Sequence, residues 1–426
     1  MENHGSAPSL RRAVSRWQVV GLSLNDVIGS GVYLLPAAAA ALLGPTSLWA
    51  VLVAGLAVAL IVLCFAEASS HFDQPGGAYL YARSAFGSLV GFEVGWMTWL
   101  ARVASEASLA VGFAQALGFA FPSVEHGAPR ALAIVLPVLV LTALNVLGVR
   151  SGVGAALFLI VTKMIPLLLF AGVGVFFFSP RVLAAQPEGT GEFGRAALLL
   201  LFAYSGFENT AAAAGEHRNP RRDIPVALLT NITVVTCLYF AVQAVVLGTL
   251  PHAGESATPL AQAAKGFLGS WGGWLLTVGA ALSILGTNSN TILAGPRYLY
   301  ALALDGFGPR ILARVHPRYR TPAAAVLLQA AIALPLALSG SFVALAELSV
   351  VARLATYLGT AAAVPVLRRR GNPTQGAFRL PGGALIPIAA ILLTLGLAAS
   401  ATPKNLIAAA IALGLGLLVY VARRRD

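Results

Sequence analysis

Charged residues are scarce, at 10% of the 426 residues, against about 25% in ordinary soluble domains. A water-facing surface cannot be built from so few, and the 58% hydrophobic content must face something apolar. Cysteine is nearly absent: Cys64 and Cys237 lie inside apolar runs and form neither a disulfide framework nor a metal-ligand spacing. The six histidines (His4, His71, His126, His217, His252 and His316) fall in loops or tails. No HExxH, GxSxG or P-loop pattern occurs, so the chain reads as a non-enzyme needing no cofactor or metal. Strands of alternating apolar and polar residues are also lacking, which excludes a membrane barrel. The remaining class is all-α and integral to a lipid bilayer, where backbone groups must be satisfied within each segment.

The formal net charge is +12, yet the basic residues are spread over short connections, so no nucleic-acid partner is implied. Arg11, Arg12 and Arg16 precede an apolar run that continues to residue 43 and contains Asn25 and Asp26. A cleavable signal core is shorter and uninterrupted, so this run reads as a retained first span. A span needs roughly 20 mainly apolar residues. Twelve such stretches follow one another, at 17–43, 47–69, 89–121, 130–148, 152–178, 195–215, 225–250, 271–304, 322–339, 342–367, 382–401 and 405–421. With both termini cytoplasmic, 20 of the 28 basic residues lie on the inner side and five (Arg130, Arg181, Arg195, Lys265 and Lys404) on the outer. That asymmetry is the one expected of a bacterial-type inner membrane.

Two spans carry a glycine break at mid-depth. The first contains Ile28-Gly29-Ser30-Gly31-Val32 and the sixth Tyr204-Ser205-Gly206-Phe207-Glu208-Asn209. Matching interruptions in two halves of a chain point to discontinuous helices around a central site; close packing through small residues is the alternative. The Gly29-Ser30-Gly31 pair is not a dinucleotide fingerprint, since no strand precedes it and the third glycine is missing. The outer half of span one begins near Gly31 with free N–H groups, and its inner half ends near Ile28 with free carbonyls. The outer half of span six ends near Phe202–Ser205, again with carbonyls. Carboxylates favour helix N-termini and ammonium groups favour carbonyl ends, so the pair suits a zwitterion such as an α-amino acid.

The stretch from Val27 to Pro36 (VIGSGVYLLP) resembles the first-span signature of the amino acid–polyamine–organocation transporter superfamily. Residues 74–81 (QPGGAYLY) resemble the loop after its second span, and 202–208 (FAYSGFE) with 215–225 (GEHRNPRRDIP) its sixth span and next loop. Residues 284–287 (ILGT), 295–301 (GPRYLYA) and Asp305-Gly306 resemble the end of its eighth span. The matches run in order along the whole chain. They imply a five-plus-five inverted repeat, with residues 17–178 and 195–367 as the two repeats. Residues 382–421 form two appended helices, and the tails are 1–16 and 422–426. They also imply alternating access by a secondary transporter, with the substrate carboxylate at Ser30 and Gly31 and the ammonium at carbonyls of Ile28, Phe202 and Ser205. Ala203, Tyr204 and Phe207 complete the expected substrate site. The chain departs from the family pattern at Asp26, where many relatives have a small or apolar residue, and at Leu304, where arginine is frequent.

Lys163 lies 12 positions beyond Ser151, about 18 Å along a helix and too deep to snorkel easily. Desolvation penalises a buried ammonium, the condition for proton exchange near neutral pH. Many relatives carry a lysine here, in place of a sodium ion between spans one and eight. Protonated Lys163 is therefore expected at the break near Gly29, with the transported proton as coupling ion; a fixed ion pair, for instance with Asp26, is the alternative. Asp26 needs a partner at its depth, with Lys163, Arg102 and Arg353 as candidates and either a coupling or a static role. Arg102 and Glu106, four apart on span three, are expected to neutralise each other. Glu208 is either a proton or gating switch or a partner for loose backbone ends. Arg353 reads as structural, Glu93 and Glu347 as near-interfacial, and Ser283, Thr287 and Asn288 as facing the coupling site.

The leading reading is a proton-coupled symporter of a neutral L-amino acid, since the breaks are rich in small residues. An amino acid, cationic amino acid or polyamine exchanger is the alternative of the same fold. A non-transporting sensor is the alternative of another class, but tails this short supply no signalling domain. Monomer and homodimer both fit.

Overall fold

The computed structural model describes residues 14–72, 76–148, 153–212, 217–370, 378–380 and 382–423. Most of both tails, Arg150, Ser151, Gln74, Pro75, Gly215 and Glu216 lie outside the described residues. The described chain is helical, and its one β-type pairing is an isolated bridge between Val14 and His217.

The first apolar run forms two helices, α1 (Arg16–Val27) and α2 (Ser30–Leu43). Ile28 is extended (φ −75°, ψ 99°) and Gly29 lies at φ −133°, ψ −143°, so the helical hydrogen-bond ladder stops at the glycine-rich stretch. Next come α3 (Ser47–Ser70), α4 (Gly77–Phe86), α5 (Ser88–Leu117), α6 (Gly127–Val146), α7 (Val153–Gly174) and the short α8 (Pro180–Ala184). The second break separates α9 (Phe193–Tyr204) from α10 (Glu208–Ala212). There Ser205 is extended and Gly206 has φ +122°, a conformation that only glycine adopts without strain. The chain continues through α11 (Pro220–Thr249), α12 (Pro259–Leu304), α13 (Ala323–Ser339), α14 (Phe342–Arg370), α15 (Leu385–Ala399) and α16 (Pro403–Arg423).

Two elements differ from the sequence reading. Residues 74–81 read as a loop, but the chain is helical from Gly77, because Tyr79, Tyr81, Ala82 and Ala85 form a buried face against α5 and α14. Helix α12 begins twelve residues before the expected start at 271; Gly269, at φ +71°, turns the chain between its two parts.

Seven helical stretches among the described residues are long and apolar enough to cross a membrane: Ser30–Ser70, Gly127–Val146, Phe158–Phe177, Pro220–Thr249, Pro259–Leu304, Phe342–Arg370 and Pro403–Ala422. Helix α5 falls outside that set and carries Glu93, Arg102 and Glu106. It is central nonetheless, packing most extensively against α14 and α12, while α3 packs on α11. The side-chain distribution is inverted relative to a soluble protein. Leu132, Leu136 and Leu139 on α6 and Leu415 and Leu418 on α16 are exposed, whereas Arg102, Glu106, Lys163, Glu208 and Arg353 are buried. Apolar residues outside and ionisable residues inside are the arrangement a bilayer demands.

Two polar clamps fasten the helix ends on one side. Arg16 pairs with Asp223 at 2.9 Å, and the Arg218 amide donates to the Val14 carbonyl at 3.1 Å, tying the start of α1 to that of α11. Beside them burial pushes the His217 imidazole down to about 4, so it is neutral at ordinary pH. At the end of α3, Glu67 accepts from Arg368 at 2.5 and 2.6 Å and from the Leu380 amide at 2.8 Å, holding the segment that leads to α15.

Candidate functional site

The two breaks touch. Gly31 lies so close to α9 that an added Cβ would sit 2.5 Å from the Ala203 Cα, and at Gly206 it would sit 2.4 Å from the Asp26 carbonyl oxygen. Each glycine thus admits the backbone of the other broken helix. Between them lies a small cavity. The walls are Asp26, Val27, Gly29, Ser30 and Gly31 from the first break, Phe202, Ser205, Gly206 and Asn209 from the second, and Arg102, Ser105, Leu109, Thr287, Asn290, Thr291 and Arg353 from α5, α12 and α14.

At the first break, Ser30 and Gly31 open α2 with no side-chain cap. Their amides carry the positive end of its dipole, and the Ser30 hydroxyl, 1% exposed, has no partner among the described residues. A carboxylate fits there.

Behind the break sits Lys163 on α7, fully buried. Its ammonium donates to the carbonyls of Asn25 at 2.9 Å and Ile28 at 3.0 Å and to the Thr287 hydroxyl at 3.1 Å, using all three of its hydrogens. Ser283 and Thr287 also donate to the Ile28 carbonyl, at 3.0 and 3.2 Å. One ammonium therefore joins the end of α1 to α7 and α12. The Ile28 carbonyl, expected at the substrate's ammonium, is turned away from the cavity and filled by these donors. Gly29 is held against the same Thr287, 3.1 Å from where its Cβ would lie.

Asp26 has none of the three expected cationic partners within ion-pair distance among the described residues. It accepts from Asn290 Nδ2 at 2.5 Å, on the cavity wall formed by α12. Arg102 and Glu106 do not pair either. Arg102 Nη2 donates to Asn209 Oδ1 at 2.7 Å and lies 3.9 Å from Glu208, while Glu106 accepts from Gln329 at 2.8 Å. Four residues apart on one helix, the two side chains leave toward different neighbours, α10 and α13.

Glu208 is the hub of the second break. Oε1 accepts from Arg353 at 2.9 Å and from the Tyr357 hydroxyl at 2.7 Å; Oε2 accepts from the Gly206 amide at 2.8 Å. Arg353 also donates to Ser105 at 2.8 Å, so α10, α14 and α5 are bound through one carboxylate. Arg353 was expected to be structural and does brace the helices, but it lines the cavity as well. Breaking a buried pair leaves an uncompensated charge, at about 3–5 kcal/mol. Glu208→Met should accordingly lower the thermal unfolding midpoint of the detergent-solubilised protein sharply, and adding Arg353→Met should recover part of the loss. A double variant less stable than both single variants would contradict the pairing.

Of the expected substrate residues, Ser30, Gly31, Phe202 and Ser205 line the cavity, whereas Ile28, Ala203, Tyr204 and Phe207 do not. Ala203 packs on Gly31 and its carbonyl accepts from Tyr239 at 2.9 Å. Tyr204 donates to the Val51 carbonyl at 3.0 Å, and Phe207 stacks on Tyr357 with ring centroids 5.7 Å apart. Of the expected coupling residues, Asp26 and Gly29 face the cavity, and Lys163, Ser283 and Glu208 stand behind it. Asn209, Asn290 and Thr291 also line the cavity without being singled out by sequence reasoning; their polarity inside apolar stretches is the available signal.

Comparison with known proteins agrees with this construction. Residues 14–417 match the family described as amino acid permease. The chain is 28% identical to the branched-chain amino acid permease BcaP of Bacillus subtilis, across 97% of this chain and 93% of that one. It is 29% identical to the methylthioribose transporter of the same organism over the same shares. With the serine/threonine exchanger SteT of Bacillus subtilis it shares 30% identity over 91% of this chain and 90% of the other. With a match spanning nearly its full length, this multi-pass membrane protein belongs to the amino acid permease family of the amino acid–polyamine–organocation superfamily, whose members are transporters rather than enzymes.

Proposed function

We propose that the chain carries a neutral L-amino acid across a cytoplasmic membrane together with a proton. It does so by alternating access, as a twelve-span protein with both termini cytoplasmic and two five-span inverted repeats broken at their first helices. The observation that carries the coupling reading is the Lys163 ammonium seated in the first break, where its three hydrogen bonds tie α1 to α7 and α12. A neutral amine has only two hydrogens to donate, so deprotonation frees one of these bonds and loosens the inner half-helix. Protonation of Lys163 from one side and release to the other then biases the break between two arrangements.

The substrate's carboxylate meets the Ser30 and Gly31 amides, and its ammonium meets the carbonyl end of α9 at Phe202–Ser205. The guanidinium groups of Arg102 and Arg353 on the cavity wall disfavour a cationic side chain, which argues against a cationic amino acid or polyamine as cargo. Exchange is the second reading, favoured by the likeness to a serine/threonine exchanger. Uptake of labelled L-amino acids into sodium-free proteoliposomes separates the two. Symport gives accumulation driven by an inward proton gradient in empty vesicles; uptake only into vesicles preloaded with amino acid would make the protein an exchanger.

A further inference from the structure

Arg102 differs from the other cations around the cavity. Lys163 has three acceptors, and Arg353 is satisfied by Glu208 and Ser105. Arg102 is only 2% exposed, yet its Nε has no partner among the described residues, and it forms part of the cavity wall. A buried donor left without an acceptor is costly, and an oxygen carried by whatever fills the cavity that Arg102 lines would supply one.

Its charge asks for much less. Glu208 lies 3.9 Å from Arg102 Nη2, and the Asp26 carboxylate shares the cavity and feels the same guanidinium. A further carboxylate would meet Glu208 and Asp26 as well as Arg102. A cationic side chain would face a guanidinium that it cannot satisfy. The group that fits is a neutral acceptor, the oxygen of a hydroxyl or a carboxamide.

We propose that Arg102 is the side-chain specificity determinant, selecting neutral L-amino acids that carry a side-chain oxygen over their apolar isosteres. This rests on the amino acid transport reading. The α-carboxylate is already provided for at the start of α2, where the amides of Ser30 and Gly31 stand uncapped, so Arg102 Nε reads the other end of the substrate. The aliphatic Leu109 and the Phe202 ring, on the same wall, limit the rest of the side chain to small or medium size.

The test is competition by unlabelled threonine against valine, and asparagine against leucine, in proteoliposome uptake at equal internal and external pH. Each pair is nearly isosteric. The wild type should prefer the oxygen-bearing member about tenfold or more, the scale of one hydrogen bond to a charged group. Arg102→Met should abolish that preference, bringing threonine level with valine and asparagine level with leucine. Arg102→Lys, which keeps a cation beside Glu208 but removes the planar donor, guards against a folding defect and should show the same selective loss. An equal loss for all four substrates in Arg102→Lys would mean that Arg102 serves the α-carboxylate or the fold, and the proposal would be wrong. So would wild-type transport with no preference within the pairs, leaving the transport reading intact. Failure of the wild type to take up any amino acid would overturn both.

Discussion

Replacing Lys163 with methionine should abolish proton-driven accumulation while leaving a folded protein that still exchanges substrate. The ammonium, carried on α7, reaches the end of α1 and α12 at once, through the carbonyls of Asn25 and Ile28 and the Thr287 hydroxyl. Methionine fills similar volume without donating. The Ile28 carbonyl keeps Ser283 and Thr287 as donors, but the Asn25 carbonyl loses its side-chain donor, at roughly 1–3 kcal/mol if nothing replaces it. The fold should therefore survive. Uptake against a gradient should fall at least about a hundredfold, the consequence of losing a bias of about 3 kcal/mol between the two arrangements. The sign of the pH effect is equally specific. Wild-type uptake should rise as the external side is acidified relative to the lumen, and the variant should show no such dependence. Retention of pH-driven uptake by Lys163→Met would make Lys163 a static brace.

A side chain at either of the touching glycines should be nearly as damaging, for a different physical reason. At Gly31 an added Cβ meets backbone and Cβ atoms of Ala203 at 2.5–2.6 Å, and at Gly206 it meets the Asp26 carbonyl oxygen at 2.4 Å. None of these is the yielding end of a flexible side chain. Gly206 also has φ +122°, so any substitution adds about 1–3 kcal/mol of backbone strain to about 1–3 kcal/mol of overpacking. Gly31→Val and Gly206→Val should each lower the unfolding midpoint by several degrees and reduce transport to background. Gly396→Ala and Gly414→Ala, where the added Cβ meets nothing within 4 Å, should transport like the wild type. Normal transport by Gly31→Val would mean that the breaks do not approach each other in the working cycle.

Much of this was legible in the sequence because it rests on local features. The apolar runs are long, and the breaks announce themselves through glycine, Gly29 with Gly31 in the first and Gly206 alone in the second. Lys163 stands out as a lone cation deep in an apolar helix, and its destination at the first break is what the family resemblance implies. The polar partnerships were less legible, because they join residues far apart in the chain. Asp26 finds Asn290 and Glu208 finds Arg353, and no local pattern couples those positions. Where local spacing was used, at Arg102 and Glu106, it misled: an i, i+4 pair is worth only about 0.2–0.5 kcal/mol, and stronger buried partners on α10 and α13 win. The aromatic residues beside the second break misled similarly. Tyr204 and Phe207 flank Gly206 in sequence, but an extended Ser205 and a positive-φ glycine redirect them toward Val51 and Tyr357.

The central claim is that a proton moves with the amino acid through the break held by Lys163. It is tested most directly by trapping a pH-sensitive dye inside sodium-free proteoliposomes and adding a transported amino acid outside, with no pH gradient imposed and the membrane potential clamped. The account predicts that the lumen acidifies on addition of substrate in the wild type and not in Lys163→Met. Substrate entry with no change in lumenal pH in the wild type would contradict it.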